Sequence, residues 1–187
     1  MSSEFLIRFV GIFKCCSGVV YLAFEGGKFV LDEISRKIRI AKRSLKHVGY
    51  VAADVSGREF YDYMTGEIFS DDPTTLRDVL GNELLMIHEL VEISELKKMG
   101  ARINKRVIVD SPKTMIYAAH FTAMETELNC ALFKGDTFWA KFRLNQYKRS
   151  VLDDDPNLPK EMRPRAEEIL KKFRKLIETY SNAPLEK

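Results

Sequence analysis

The sequence predicts an all-α protein, a single-domain bundle of about six helices with room for one short strand or hairpin. Three observations carry that expectation. Apolar residues recur at steps of three and four along most of the chain, the helical period. Helix punctuation recurs with them, as acid-then-proline starts at Asp71-Asp72-Pro73 and Asp110-Ser111-Pro112 and as stops at Gly100 and Gly135. No internal repeat and no low-complexity linker divides the 187 residues, so 1–187 reads as one domain.

Taken in order, Ser2 or Ser3 can cap a first helix that runs toward Ala23 and stops at Gly26-Gly27. A second helix is expected from about Leu31, capped by Asp32. Its stripe is Ile34, Ile38, Ala41, Leu45, Val48 and Ala52, with Arg36, Arg39, Arg43 and Lys46 turned to solvent. The aromatic run Phe60, Tyr61, Tyr63 fits either a short helix or a small hairpin. After Asp71-Asp72-Pro73 a helical pattern runs through Leu76 and Val79, softens at Gly81-Asn82, and resumes to Met99-Gly100. Residues 103–109 read as a connector or brief strand. Asp110-Ser111-Pro112 then opens a helix over 113–134, and Asp136 or Thr137 opens another whose apolar bulk is Phe138, Trp139, Phe142 and Leu144. The chain breaks at Asp153-Asp154-Asp155-Pro156 and Pro159. A last amphipathic helix over 164–180 carries the stripe Ile169, Leu170, Phe173, Leu176, Ile177 and Tyr180, with Glu167/Lys171 and Glu168/Lys172 as i,i+4 pairs.

Composition is that of an ordinary globular chain, 45% hydrophobic and 30% charged. Thirty basic residues against 27 acidic leave a net charge of +3, which argues against a dedicated nucleic-acid binder. Cys15, Cys16 and Cys130 form neither a disulfide framework nor a zinc pattern, so free thiols in a reducing, cytoplasmic setting are expected. Residues 5–24 are almost long enough and apolar enough to span a bilayer. Arg8 and Lys14 interrupt them, and each would cost roughly 2.5–3.5 kcal/mol at the centre of an inserted helix. A buried helix is the first reading there, a membrane-associated segment the second.

The stretch 86–96, Met-Ile-His-Glu-Leu-Val-Glu-Ile-Ser-Glu-Leu, is the anomaly. At about 100° per residue His88, Glu92 and Glu95 fall together among aliphatic neighbours. Ionisable groups on such a face are expensive unless paired, protonated or metal-bound. The helix over 113–134 repeats the pattern, with His120 and Glu127 seven residues apart among Ile116, Ala123, Met124 and Ala131. If the two faces meet, His88, Glu92 and Glu95 confront His120 and Glu127. Imidazole and carboxylate donors suit manganese, nickel, zinc or iron, and helical bundles build such centres from facing helices. First-choice ligands are His88, Glu92 and His120, with Glu95 beside them; Glu89 and Glu127 are candidates for further ligands or for the base that positions water. A non-catalytic bundle, monomeric or homodimeric, with a buried His/Glu ion-pair network is the competing expectation. His47 lies off its helix's apolar stripe and reads as a surface histidine.

An early histidine followed by His88-Glu89 on a later helix resembles the HD-domain phosphohydrolases, whose signature is His, then His-Asp, then a distant Asp around one or two metal ions. Met86-Ile87-His88-Glu89-Leu90-Val91-Glu92-Ile93 resembles the His-Asp helix of their nucleotidase branch, with glutamate in place of aspartate. The resemblance covers roughly residues 31–150. It implies that His47 is the first metal ligand and that the protein is an all-α, divalent-metal-dependent hydrolase of phosphorylated small molecules or nucleotides. Glu89-Leu90-Val91-Glu92 also has the Glu-x-x-Glu spacing of the all-α nucleoside triphosphate pyrophosphohydrolases, whose ion is magnesium; this ranks second. No phosphate-binding glycine loop and no nucleophile elbow occurs in the chain.

Overall fold

The structure, a computed structural model, describes residues 19–69 and 74–182, with side chains from 29 to 69 and 74 to 180. Eight α-helices and no strand occur among the described residues: α1 (Val19–His47), α2 (Gly57–Met64), α3 (Leu76–Gly81), α4 (Glu83–Lys98), α5 (Val107–Asp110), α6 (Lys113–Phe133), α7 (Thr137–Tyr147) and α8 (Arg163–Asn182). A π-helical turn, Lys148–Asp153, extends α7, and a 3₁₀ turn, Lys160–Met162, precedes α8. The fold is all-α, as expected. No described helix is long and apolar enough to cross a membrane. Cys15, Cys16, the Ser2/Ser3 cap, most of the 5–24 segment and the Asp71-Asp72-Pro73 start lie outside the described residues.

Local rules set most of the helix ends. Ser56 and Glu59 close a reciprocal capping box on α2, Thr75 and Asp78 do so on α3, and Asn82 Oδ1 accepts from the Leu84 and Leu85 amides of α4. Gly100 and Gly135, at φ 89° and 74°, end α4 and α6. In both places the next amide reaches back five residues, Ala101 to Leu96 and Asp136 to Ala131, to satisfy the last carbonyls.

Three boundaries differ from expectation, and one segment takes one of its two expected forms. Gly26-Gly27 stops nothing, because α1 is continuous through it; each interior glycine costs about 1 kcal/mol, too little to break a long helix without a proline or a turn behind it. The Phe60–Tyr63 run is helical, not a hairpin. Residues 107–110 form a helical turn where a strand was an alternative. Pro112 sits at the cap of α6 with no side-chain cap bond, and Asp110 instead pairs with Arg106 at 3.0 Å.

Helices α4 and α6 make the largest helix–helix contact and form the centre of the bundle. Ten of the sixteen residues of α4 are buried, on every side. A helix apolar all round belongs in the interior. The amphipathic α1 covers α4 with Ile34, Ile38, Ala41 and Leu45, while α7 and α8 pack against α6 and against each other. Of the expected α8 stripe, Ile169, Phe173 and Ile177 are buried but Tyr180 is exposed. Lys172 reaches Glu125 on α6 and not Glu168. Phe138 and Phe142, expected to supply core bulk, are exposed on α7.

Two predictions follow from this packing. A Cβ on Gly57 would meet Ser35 Oγ at 2.6 Å and the Leu31 carbonyl oxygen at 2.8 Å, whereas one on Gly81 meets nothing. In urea unfolding, Gly57→Ala should therefore lose about 1–3 kcal/mol to overpacking and Gly81→Ala should gain a few tenths up to about 1 kcal/mol. Glu83 joins the two central helices, accepting from Lys134 Nζ at 2.7 Å and Ser44 Oγ at 2.5 Å. Burial alone would raise its carboxyl, but the Lys134 ammonium and the Ser44 hydroxyl outweigh it and hold it below its ordinary value. A depressed folded-state pKa stabilises above the unfolded value, and the gain is lost as pH falls through the folded one. Glu83→Gln should thus cost up to about 1 kcal/mol at pH 7 and nearly nothing well below pH 4.

Candidate metal centre

Helix α4 places His88 and Glu92 one turn apart, and α6 places His120 and Glu127 two turns apart. Facing pairs run His88 to Glu127 and Glu92 to His120, so the two helices meet antiparallel. His88 Nδ1 lies 2.8 Å from Glu127 Oε2. Its other nitrogen, Nε2, lies 3.2 Å from His120 Nδ1 and 3.4 Å from Glu92 Oε2, and those two atoms are 3.3 Å apart.

This near-equilateral triangle is the central geometric fact. Charge-assisted N–H···O bonds prefer about 2.7–2.9 Å, and neighbouring bonds in the same cluster have that length. The triangle's edges are longer. Four donors about 2.0–2.1 Å from a tetrahedral ion stand about 3.3 Å apart, the spacing found here. His88, Glu92 and His120 are thus the group that could hold one divalent ion.

Each donor is fixed from behind. The fully buried Glu127 accepts from Arg143 Nε at 2.7 Å, Arg143 NH2 at 3.0 Å and Trp139 Nε1 at 2.7 Å, all supplied by α7. Glu127 in turn takes the Nδ1–H of His88, which leaves Nε2 facing the triangle, the carboxylate–histidine arrangement that supports metal ligands. Tyr63 Oη of α2 donates to Glu92 Oε1 at 2.8 Å and leaves Oε2 facing inward. The Tyr147 ring lies 6.4 Å from the His120 ring at an interplanar angle of 23°.

Electrostatics follow from this enclosure. Burial would lower the His88 pKa, but its hydrogen bonds to Glu127 and Glu92 outweigh that and raise it to about 10. Burial would likewise raise Glu127, yet His88 and Arg143 hold it at about 2. Glu92 also lies well below the carboxylate range, with burial overridden by His120 and His88. His88 is thus held in its charged form between Glu127 and Glu92, and a divalent ion at the triangle would displace the proton from Nε2.

A cleft of about 590 Å³ reaches this triangle. His88, Glu89, Glu92 and His120 all line it, and His120 is the most exposed of the three donors. The π-helical turn supplies Ser150 and Val151 to the wall, and such turns recur beside functional sites. On the same lining, Tyr117 Oη donates to Asp155 and Asn157 Nδ2 donates to the Phe69 carbonyl at 3.3 Å.

Two expected ligands fall elsewhere. Glu95 accepts from Tyr50 Oη at 2.6 Å and Lys98 Nζ at 2.8 Å, because it lies two turns beyond His88 along α4, beside the chain that follows α1. His47 stacks on Phe133 at 5.1 Å, thirteen residues along α6 from His120, or about 20 Å of helix. Glu127 is close to the triangle but its oxygens are engaged by Arg143, Trp139 and His88, so it positions His88 and does not face the cleft. Tyr63, Trp139, Arg143 and Tyr147 were not singled out as site residues by the sequence. Arg143, a lone cation between Phe142 and Leu144 and four residues after Trp139, was the signal available.

The Glu127 cage yields a stability prediction. Removing one partner of a buried, hydrogen-bonded charge pair costs about 3–5 kcal/mol. Glu127→Ala should lose that much in denaturant unfolding at pH 7, while Glu95→Ala, which breaks a half-exposed network, should lose about 1 kcal/mol or less. Comparison with known proteins finds no family model that matches the chain, and no match among curated proteins or solved structures.

Proposed function

We propose that this protein is a divalent-metal-dependent hydrolase of phosphorylated small molecules, with one ion held by His88, Glu92 and His120. The observation that supports the reading is the triangle of donor atoms with edges of 3.2, 3.3 and 3.4 Å at the end of an open cleft. Two imidazoles and one carboxylate are a donor set for zinc, iron or manganese, and three protein ligands leave a position for water or substrate. An ion there would polarise a phosphoryl oxygen and lower the pKa of a water molecule.

In the hydrolysis itself, water oxygen bonds to phosphorus, the ester P–O bond breaks, and the alcohol leaves with a proton. Glu89 lines the cleft one residue from His88 and is the carboxylate proposed to take the proton from water. Tyr63 and Glu127 hold Glu92 and His88 in orientation. Tyr147 limits rotation of the His120 ring.

The competing reading, a structural His/Glu network in a non-catalytic bundle, draws on one observation. Every buried side-chain polar atom of the cluster has a partner; among the described residues only Asp62 Oδ1 is buried without one. Elemental analysis of protein purified without chelator separates the two. The hydrolase reading expects about one divalent ion per chain, lost in His88→Ala and His120→Ala and kept in His47→Ala and Glu95→Ala. It also expects phosphomonoester hydrolysis that a chelator abolishes and zinc or manganese restores. Absence of stoichiometric metal after reconstitution with zinc, manganese and iron would sink it.

A further inference from the structure

We infer, resting on the hydrolase reading above, that the substrate carries a single phosphoryl group on an apolar body, and that the cleft turns polyphosphates away. The apolar part of the lining is Met64, Phe69, Leu85, Ile108, Ile116 and Met124, side chains that offer dispersion and no hydrogen bonds. At about 590 Å³ the cleft matches the size of sites for small organic ligands.

The charges that line it point the same way. Arg143 is the one lysine or arginine among the described residues lining the cleft. Its Nε and NH2 donate to Glu127 and its NH1 to Gln146 at 2.7 Å, so its charge is already balanced by a buried carboxylate. Against it stand Glu89, Glu92, Asp154 and Asp155 on the same lining. A divalent ion at the triangle leaves that balance negative. One phosphoryl group can sit on the ion; a second or third would share the cleft with the Asp154 and Asp155 carboxylates that line it. Polyphosphate sites elsewhere use lysines and rows of backbone amides at glycine-rich loops, and no such loop occurs in this sequence. Phe69 and Tyr117 pack as a tilted aromatic pair on the same lining, and Lys113, over the Phe69 ring, is engaged by Asn157 Oδ1 at 2.7 Å.

The test is a binding comparison on zinc-loaded protein, using 1-naphthyl phosphate against adenosine triphosphate presented as its magnesium complex. The expected result is tighter binding of 1-naphthyl phosphate by roughly tenfold or more, since like-charge contacts cost a partner several kcal/mol. Asp154→Lys, an exposed position, should narrow that ratio severalfold by strengthening the triphosphate alone. Equal or tighter binding of the triphosphate, or a ratio unmoved by Asp154→Lys, overturns the inference while the metal centre stands. Binding of neutral 1-naphthol to protein stripped of metal tests the apolar walls independently of the ion. Its absence overturns the inference on its own, whereas a chain that binds 1-naphthol but no metal fails the hydrolase reading.

Discussion

The structure turns on one buried carboxylate. Glu127 has no exposed surface, and a carboxylate in that position is tolerable only because Arg143, Trp139 and His88 surround it with donors. Those donors come from α7 and α4, so a single side chain on α6 fixes the rotation of both neighbouring helices. The same requirement orients the proposed centre. His88 must present Nδ1 to Glu127, which commits Nε2 to the side where Glu92 and His120 meet. Rotating α4 by one residue would break the His88–Glu127 pair and turn Glu92 away from Tyr63. Apolar packing on α4 is nearly isotropic and could not select this register by itself; the polar pairings do.

Much of this was legible in the sequence, for reasons that are local. Helix ends at Gly100 and Gly135, the start at Asp136, and the Ile34–Leu45 stripe on α1 all depend on a few neighbouring residues, whereas the break at Asn82 read only as a softening. His88, Glu92, His120 and Glu127 were legible because charge on an otherwise apolar face is a local conflict. What periodicity does not supply is which neighbour a face meets. Glu95 shares His88's side of the helix to within about 20°, yet its position two turns further along α4 puts it beside Tyr50 and Lys98, past the end of the cluster. His47 could be placed near the site only by resemblance; it lies at the far end of α6. Tyr63, Trp139 and Arg143 look like ordinary amphipathic or aromatic residues in their own helices, and acquire their roles only from the tertiary contact. Gly26-Gly27 misled in the opposite way, because a stop signal acts only where the chain beyond it has reason to turn.

The cluster's energetics bear on which reading it serves. Buried ionic groups are a poor route to stability, since well-packed apolar residues of similar volume are often neutral or better by about 1–4 kcal/mol. A bundle needing only a core would gain nothing by placing two histidines, two glutamates and an arginine at its centre. A purely structural network would also be expected to close its hydrogen bonds at normal length, as the Glu127 cage does at 2.7–3.0 Å. The His88–Glu92–His120 triangle does not close in that way. Its three atoms are held apart by side chains anchored behind them, on Glu127 and Tyr63, and they converge on a shared point that a cleft reaches. Tight outer bonds around a looser inner triangle leave donors whose spacing could hold a divalent ion, and that spacing is what the proposed centre rests on.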